Sequence, residues 1–268
     1  MIRLAGHRGF LSEYPENTML SFQMALQENV DQIETDVHMT KDGELVLMHD
    51  HTVDRTTNGS GRVQDLSFEE VRALDAGSHK GAEFAGLQVP TLRELIELVL
   101  PCEGKEINIE LKDYPCISGN FAYRSCDKVI EMVEEYGIAD RIYLNSFAGD
   151  ILEYIDRKHP GRYRLHGFYP AFIMNGTFEA ETIYNRLFCV CLVNRERNDR
   201  GEIVRRQDPL YPEAYFEAVK AMGREIWVHL APETEELIRA CVERGAVAFT
   251  SDDPHFCRTV LQKMGLRG

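Results

Sequence analysis

The sequence predicts an α/β fold, a parallel (β/α)8 barrel of the TIM type with a small insertion after strand two. Three observations carry this. Short runs rich in β-branched residues alternate with helical patterns eight times over, the rhythm of strand-then-helix units around a parallel sheet. The chain has 268 residues, and such barrels use about 250 as one unit. One polar, Gly-rich interval, 51–89, breaks the rhythm and is too long for an ordinary strand-to-helix loop.

The predicted strands cover 2–6, 32–37, 106–111, 141–145, 163–168, 188–193, 225–230 and 246–250. Helices are expected near 18–28, 92–100, 121–136, 149–158, 177–186, 212–222, 233–244 and from Pro254 onward. Asp253 before Pro254 has the chemistry of a helix N-cap followed by proline in the first turn. Within 51–89 the cluster Asn58-Gly59-Ser60-Gly61 marks turns, and only 68–74 is expected to be helical. The whole chain, 1–268, is expected to form a single catalytic barrel with 51–89 inserted into it. An open doubly wound sheet is the structural alternative, but no glycine-rich phosphate-binding turn follows the first strand.

Composition narrows the function. Lys plus Arg number 30 and Asp plus Glu 44, a formal net charge of −14. Broad nucleic-acid or anionic-membrane surfaces depend on clustered cations, so no nucleic-acid partner and no stable membrane insertion are expected. A small anionic substrate is not excluded. The chain is 44% hydrophobic, enough for a sizeable core. Seven cysteines, an odd number, cannot all pair. No secretory leader pattern or long apolar run is seen, and a cytoplasmic location is the expectation. The oligomeric state is not legible.

Candidate chemistry lies on the strands. Residues i and i+2 share a face, so Glu34 and Asp36 face one way while Ile33, Thr35 and Val37 face the other. Glu110 and Lys112 likewise face away from Ile109 and Leu111. The apolar sets are expected against outer helices and the polar sets inside the barrel. Glu34, Asp36 and Glu110 then form an all-oxygen set suited to Mg²⁺ or Ca²⁺, or a set of salt bridges to Arg8 and Lys112. His7 and His49, each ending an apolar run, have the chemistry of a general acid and a general base. Arg8 can grip a phosphate with its fork of donors. Trp227, the only Trp, is either a platform at the barrel mouth or a core aromatic. The Arg-rich stretch 195–206 reads as a solvated mixed-charge loop at that mouth.

In order along the chain come Gly6-His7-Arg8-Gly9, Pro15-Glu16-Asn17-Thr18, Glu34-x-Asp36, His49-Asp50 and Arg55-Thr56-Thr57-Asn58-Gly59. Later come Glu110-Leu111-Lys112, Asn145-Ser146-Phe147, Trp227 and Thr250-Ser251-Asp252. This series closely resembles the glycerophosphodiester phosphodiesterases over essentially the whole chain, most specifically in the first 60 residues. One departure is Trp227-Val228-His229-Leu230, where the family often has Trp-Thr-Val-Asn.

The resemblance implies a (β/α)8 barrel with an insertion after strand two and a divalent cation, Mg²⁺ or Ca²⁺, on Glu34, Asp36 and Glu110. It implies acid–base roles for His7 and His49 and substrate or phosphate contacts from Arg8, Lys112 and Trp227. The implied reaction converts glycerophosphodiesters, such as glycerophosphocholine or glycerophosphoethanolamine, to glycerol 3-phosphate and an alcohol. The attacking group is the glycerol 2-hydroxyl, by way of a cyclic phosphate, or water. Three other readings compete. A lysophospholipase D or phospholipase C-like enzyme needs an apolar mouth, to which Phe84, Tyr169, Phe172 and Ile173 are candidates. A non-catalytic phosphate- or sugar-binding barrel sits poorly with an intact His and carboxylate set. An aldolase using Lys112 as a Schiff base conflicts with Glu110, which would keep the amine protonated.

Overall fold

In the computed structural model, which describes residues 1–178 and 180–268, eight parallel strands close on themselves. In chain order the strands are β1 (Arg3–Gly6), β2 (Gln32–Met39), β3 (Leu45–Leu47), β4 (Glu106–Leu111), β5 (Ile142–Asn145), β6 (Arg164–Tyr169), β7 (Cys189–Leu192), β8 (Arg195–Arg197), β9 (Ile203–Arg205), β10 (Glu225–His229) and β11 (Ala246–Ser251). The barrel runs β1-β2-β4-β5-β6-β7-β10-β11, and β11 pairs back onto β1. Each of the eight predicted strands is present within two residues of its expected ends.

The helices are α1 (Met19–Gln27), α2 (Phe68–Arg72), α3 (Leu92–Val99), α4 (Pro115–Ser118), α5 (Asn120–Glu135), α6 (Gly149–Lys158), α7 (Ala180–Tyr184), α8 (Glu213–Ala221), α9 (Glu235–Glu243) and α10 (Pro254–Lys263). The helix expected over 177–186 is therefore shorter, and residue 179 of that expectation lies outside the described residues. Thr18, Thr91 and Asp253 cap α1, α3 and α10 by accepting backbone N–H bonds. At α3, Glu94 returns the bond to the Thr91 backbone, closing a capping box.

The strand alternation works as its pattern requires. Ile33, Val37, Ile109 and Leu111 are buried in the apolar layer shared with the outer helices. Glu34, Asp36, Asn108 and Glu110 are buried too, on the opposite face. The β2–β4 register sets Asp36 beside Glu110 and Glu34 beside Asn108, so the carboxylates of adjacent strands meet.

The strands differ from expectation in two places. The excursion after β2 opens with a strand: β3 pairs antiparallel with β2, Val37 against Leu47. The chain from there to residue 89 builds a small second core from Val46, Met48, Val53, Val63, Val71, Ala76 and Val89. The segment expected to be a solvated loop instead contains a hairpin, β8 against β9, with Arg195 opposite Arg205. Its exposed polar faces hide the period-two signal that an apolar stripe would give.

Candidate functional site

At the C-terminal ends of the barrel strands lies a cavity of about 170 Å³, with His7, Arg8, Glu34, His49, Glu110 and Lys112 in its wall. Asn108 of β4, Arg195 of β8, residues of β5, β6, β7, β10 and β11, and Phe147 and Val193 just beyond β5 and β7 complete the wall. His7 and Arg8 follow β1 directly in a turn that only glycine permits at two points. Gly9 has φ +92°, and a side chain at Gly6 would meet the Gly9 carbonyl oxygen at 2.5 Å. Arg8 itself holds a left-handed φ of 52°, a strain found mostly at functional sites.

Both histidines are held in the same way. His7 Nδ1 pairs with Asp252 Oδ1 at 2.5 Å, and His49 Nδ1 pairs with Asp50 Oδ1 at 2.6 Å. A carboxylate on Nδ1 fixes the ring and keeps the proton there, which leaves Nε2 as the working nitrogen. His7 Nε2 stands 4.0 Å from Glu34 Oε2. Burial lowers the His49 pKa, with Asp36 opposing and Lys112 and Arg8 assisting. Its neutral form is therefore favoured.

Arg55 extends this support. Its guanidinium donates to Asp50 Oδ2 at 2.6 Å and to both oxygens of Glu16, at 2.8 and 2.9 Å. Glu16 also accepts from Arg8 at 3.0 Å. Asn17 donates to Asp36 Oδ2 at 2.8 Å and accepts from Thr35 at 2.8 Å. The Pro-Glu-Asn-Thr and Arg-Thr-Thr-Asn-Gly motifs thus brace the side chains around the cavity.

Glu34, Asp36 and Glu110 each offer an oxygen, all within 4.8 Å of one another. Lys112 Nζ lies 2.6 Å from Glu110 Oε1 and 3.2 Å from Asp36 Oδ1, and Arg8 Nε lies 3.2 Å from Asp36 Oδ2. Both bases are therefore present as salt-bridge partners. Burial opposes the Asp36 charge, but Lys112 and Arg8 outweigh it and lower its pKa. Glu34 behaves oppositely: burial, then the charges of Asp36 and Glu110, push its pKa well up. The raised Glu34 pKa means that its ionised form lacks a compensating cation: with all three carboxylates ionised, the cluster carries one negative charge more than Arg8 and Lys112 balance. That residual charge, on oxygen donors alone, fits a hard divalent cation. Burial works against the Lys112 charge as well, yet Asp36 and Glu110 outweigh it and raise its pKa, which leaves no free amine for Schiff-base chemistry.

Trp227 is a correction. It is 1% exposed and does not line the cavity. Its indole N–H reaches Glu225 at 3.1 Å, and its ring packs on Arg3, Tyr143 and His166. The register explains this: Trp227 pairs with Ala248, while His229, beside Thr250, occupies the layer that reaches the cavity. Two strand residues separate those layers by roughly 6.6 Å.

Phe84, Tyr169, Phe172 and Ile173 do not line the cavity either. Its aromatic wall is Phe147 stacked on Phe168, with centroids 3.8 Å apart and planes 6° from parallel. Sequence reasoning named Asp252 and His229 only within longer motifs and gave neither a role in the site. Asp252 stands beside an N-cap aspartate and reads as part of that cap. The usable signal was its period-two relation to Thr250 at a strand end.

A parallel barrel with paired histidines and a carboxylate cluster at its C-terminal mouth has its polar constellation on the face where barrel enzymes carry their chemistry. The sequence matches the glycerophosphoryl diester phosphodiesterase family over residues 7–255, and the chain belongs to that family. A glycerophosphodiester phosphodiesterase of Caldanaerobacter subterraneus subsp. tengcongensis is 44% identical over 53% of this chain and 56% of its own length. One from Bacillus altitudinis is 41% identical over 55% of this chain and 58% of its own. The chain thus spans little more than half the length of these relatives in the matched segments. A solved structure from Oleispira antarctica, a phosphodiesterase in complex with the product sn-glycerol-3-phosphate, is 22% identical. It has a TM-score of 0.78 and covers 97% of this chain and 96% of that one, which shows the shared fold. Among the described residues no helix is long and apolar enough to cross a membrane.

Proposed function

We propose that this chain hydrolyses small glycerophosphodiesters, such as glycerophosphocholine or glycerophosphoethanolamine, to glycerol 3-phosphate and an alcohol. The observation that carries the reading is the pair of carboxylate-held histidines, His7 and His49, in one cavity with Arg8, Lys112 and the three buried carboxylates. The Oleispira antarctica relative, bound to sn-glycerol-3-phosphate, supports the product assignment.

Arg8 and Lys112 bind the phosphate charge and orient the diester. The Nε2 of one histidine takes the proton from the attacking hydroxyl, either water or the glycerol 2-hydroxyl. The other gives a proton to the alcohol oxygen as its bond to phosphorus breaks. Glu34, Asp36 and Glu110 would hold Mg²⁺ or Ca²⁺. When bound, that cation supplies stabilisation of the charge that builds on the phosphoryl oxygens. The cytoplasmic location stays part of the proposal, resting on the odd count of seven cysteines.

Cavity size favours a small leaving group over a lysolipid. About 170 Å³ is below the roughly 300 Å³ at which pockets begin to hold drug-sized ligands. Turnover of glycerophosphocholine and lysophosphatidylcholine, compared by choline release, tests this. The expected result is a clear preference for glycerophosphocholine, with His7→Ala and His49→Ala each losing about 10²- to 10⁴-fold in kcat. Preference for the lysolipid overturns the substrate assignment. Normal turnover by either variant overturns the mechanism.

A further inference from the structure

Beyond Glu34 and Asp36, β2 carries one more side chain in the same alternation, His38. It is 1% exposed. Its Nδ1 pairs with Asp113 Oδ1 at 2.7 Å, and the other oxygen of Asp113 accepts the Met39 N–H at 3.0 Å. The other ring nitrogen of His38, Nε2, is buried without a partner. Facing it edge-on, with ring centroids 5.1 Å apart, is His51, from the start of the excursion after β3. Among the described residues neither ring nitrogen of His51 has a hydrogen-bond partner. One ligand atom from each of His38, His51 and Asp113 lies within 4.8 Å of the others. None of the three lines the catalytic cavity.

We propose that His38, His51 and Asp113 form a second cation site, separate from the carboxylate cluster, for a borderline ion of the Zn²⁺ class. Two imidazoles and one carboxylate are the donor set such ions prefer, whereas the catalytic carboxylates suit a hard ion. His38 Nδ1 and Asp113 Oδ1 already lie 2.7 Å apart with one proton between them, and a cation bound by both would displace that proton, as metal binding to imidazole and carboxylate does. Bonds of about 2.1 Å around a four-coordinate ion put ligand atoms roughly 3.4 Å apart, so the 2.7 Å His38–Asp113 pair must open while His51 draws in. His51 is only half-buried and its ring is not tied by hydrogen bonds, so it is the member able to move. Three protein ligands leave the fourth position to water. An ion here would fix the chain two residues beyond His49 and so brace the excursion against the barrel.

Titration of the metal-stripped full chain with Co²⁺ tests the site. Four-coordinate Co²⁺ absorbs strongly in the visible, and a six-coordinate ion on oxygen ligands does so only weakly. The expected result is a strong band in the wild type. Co²⁺ affinity at that band falls at least about tenfold in His51→Ala and in the more conservative His51→Gln. The band persists in Glu34→Gln, which alters only the carboxylate cluster. Zn²⁺ raises the thermal midpoint of the wild type more than that of either His51 variant. Absence of the band in the wild type overturns the proposal, as does a band unchanged by both His51 substitutions. Loss on His229→Ala instead, with both His51 variants normal, assigns the ion to His7, His229 and Asp252 and also overturns it.

Discussion

Asp252 shows what one residue does when it is reached only through the fold. Its carboxylate meets His7 Nδ1 across 245 positions of sequence, because β1 and β11 are neighbours in the closed barrel. Asn in its place keeps the shape but presents an amide that can donate to Nδ1 and so select the other tautomer. Asp252→Asn is therefore expected to lower kcat by about 10²-fold. KM should change little, and the pH–rate profile should shift. A normal profile with normal kcat would remove Asp252 from the positioning of His7. The carboxylates Glu34, Asp36 and Glu110 were legible because strand period alone groups them. Asp252 and His229 were not, since their importance lies in contacts with His7 that no local pattern records. Trp227 failed for a related reason: the pattern gives the face of a strand but not the depth of a layer.

Between elements, a single guanidinium joins the β1 turn to the chain after β3. Arg55 holds Asp50, and hence His49, while it also holds Glu16, and hence Arg8. Its side chain is 47% exposed and that of Asp50 31%, so this pair contributes little to stability, about 1 kcal/mol or less, and the nearly buried Glu16 keeps Arg8 as a partner without Arg55. Its value is placement. Arg55→Met is expected to cost about tenfold or more in kcat, as small misplacements of reacting groups do, with a thermal midpoint near that of the wild type. A large loss of stability with normal kcat would show Arg55 to be a structural tie only. The eight barrel strands were legible from their β-branched runs. The β8–β9 hairpin was not, because Arg195-Glu196-Arg197 carries no apolar face for alternation to reveal.

Across the whole barrel, a chain of buried polar side chains from neighbouring strands runs through the wall of the cavity. Asn145 donates to Asn108 at 2.8 Å, and Asn108 donates to His166 Nδ1 at 2.9 Å, linking β4, β5 and β6 through the lumen. All three side chains are buried. Burial alone drives the His166 pKa from the ordinary 6.5 down to about 3, so the folded protein holds this ring neutral. As pH falls below 6.5 the unfolded chain takes up the proton first, and folding stability from this group declines until the folded form titrates near 3. Above 6.5 the contribution is complete. Because Glu34 and Glu233 have raised pKa values and act in the opposite sense, the clean measurement is a difference. His166→Asn is expected to be destabilised at pH 8, since it vacates packed volume beside Trp227. The gap between wild type and variant in urea unfolding should then shrink by up to about 1.4 kcal/mol per pH unit between pH 6 and 4. A gap independent of pH would mean that His166 is not held neutral by the barrel interior.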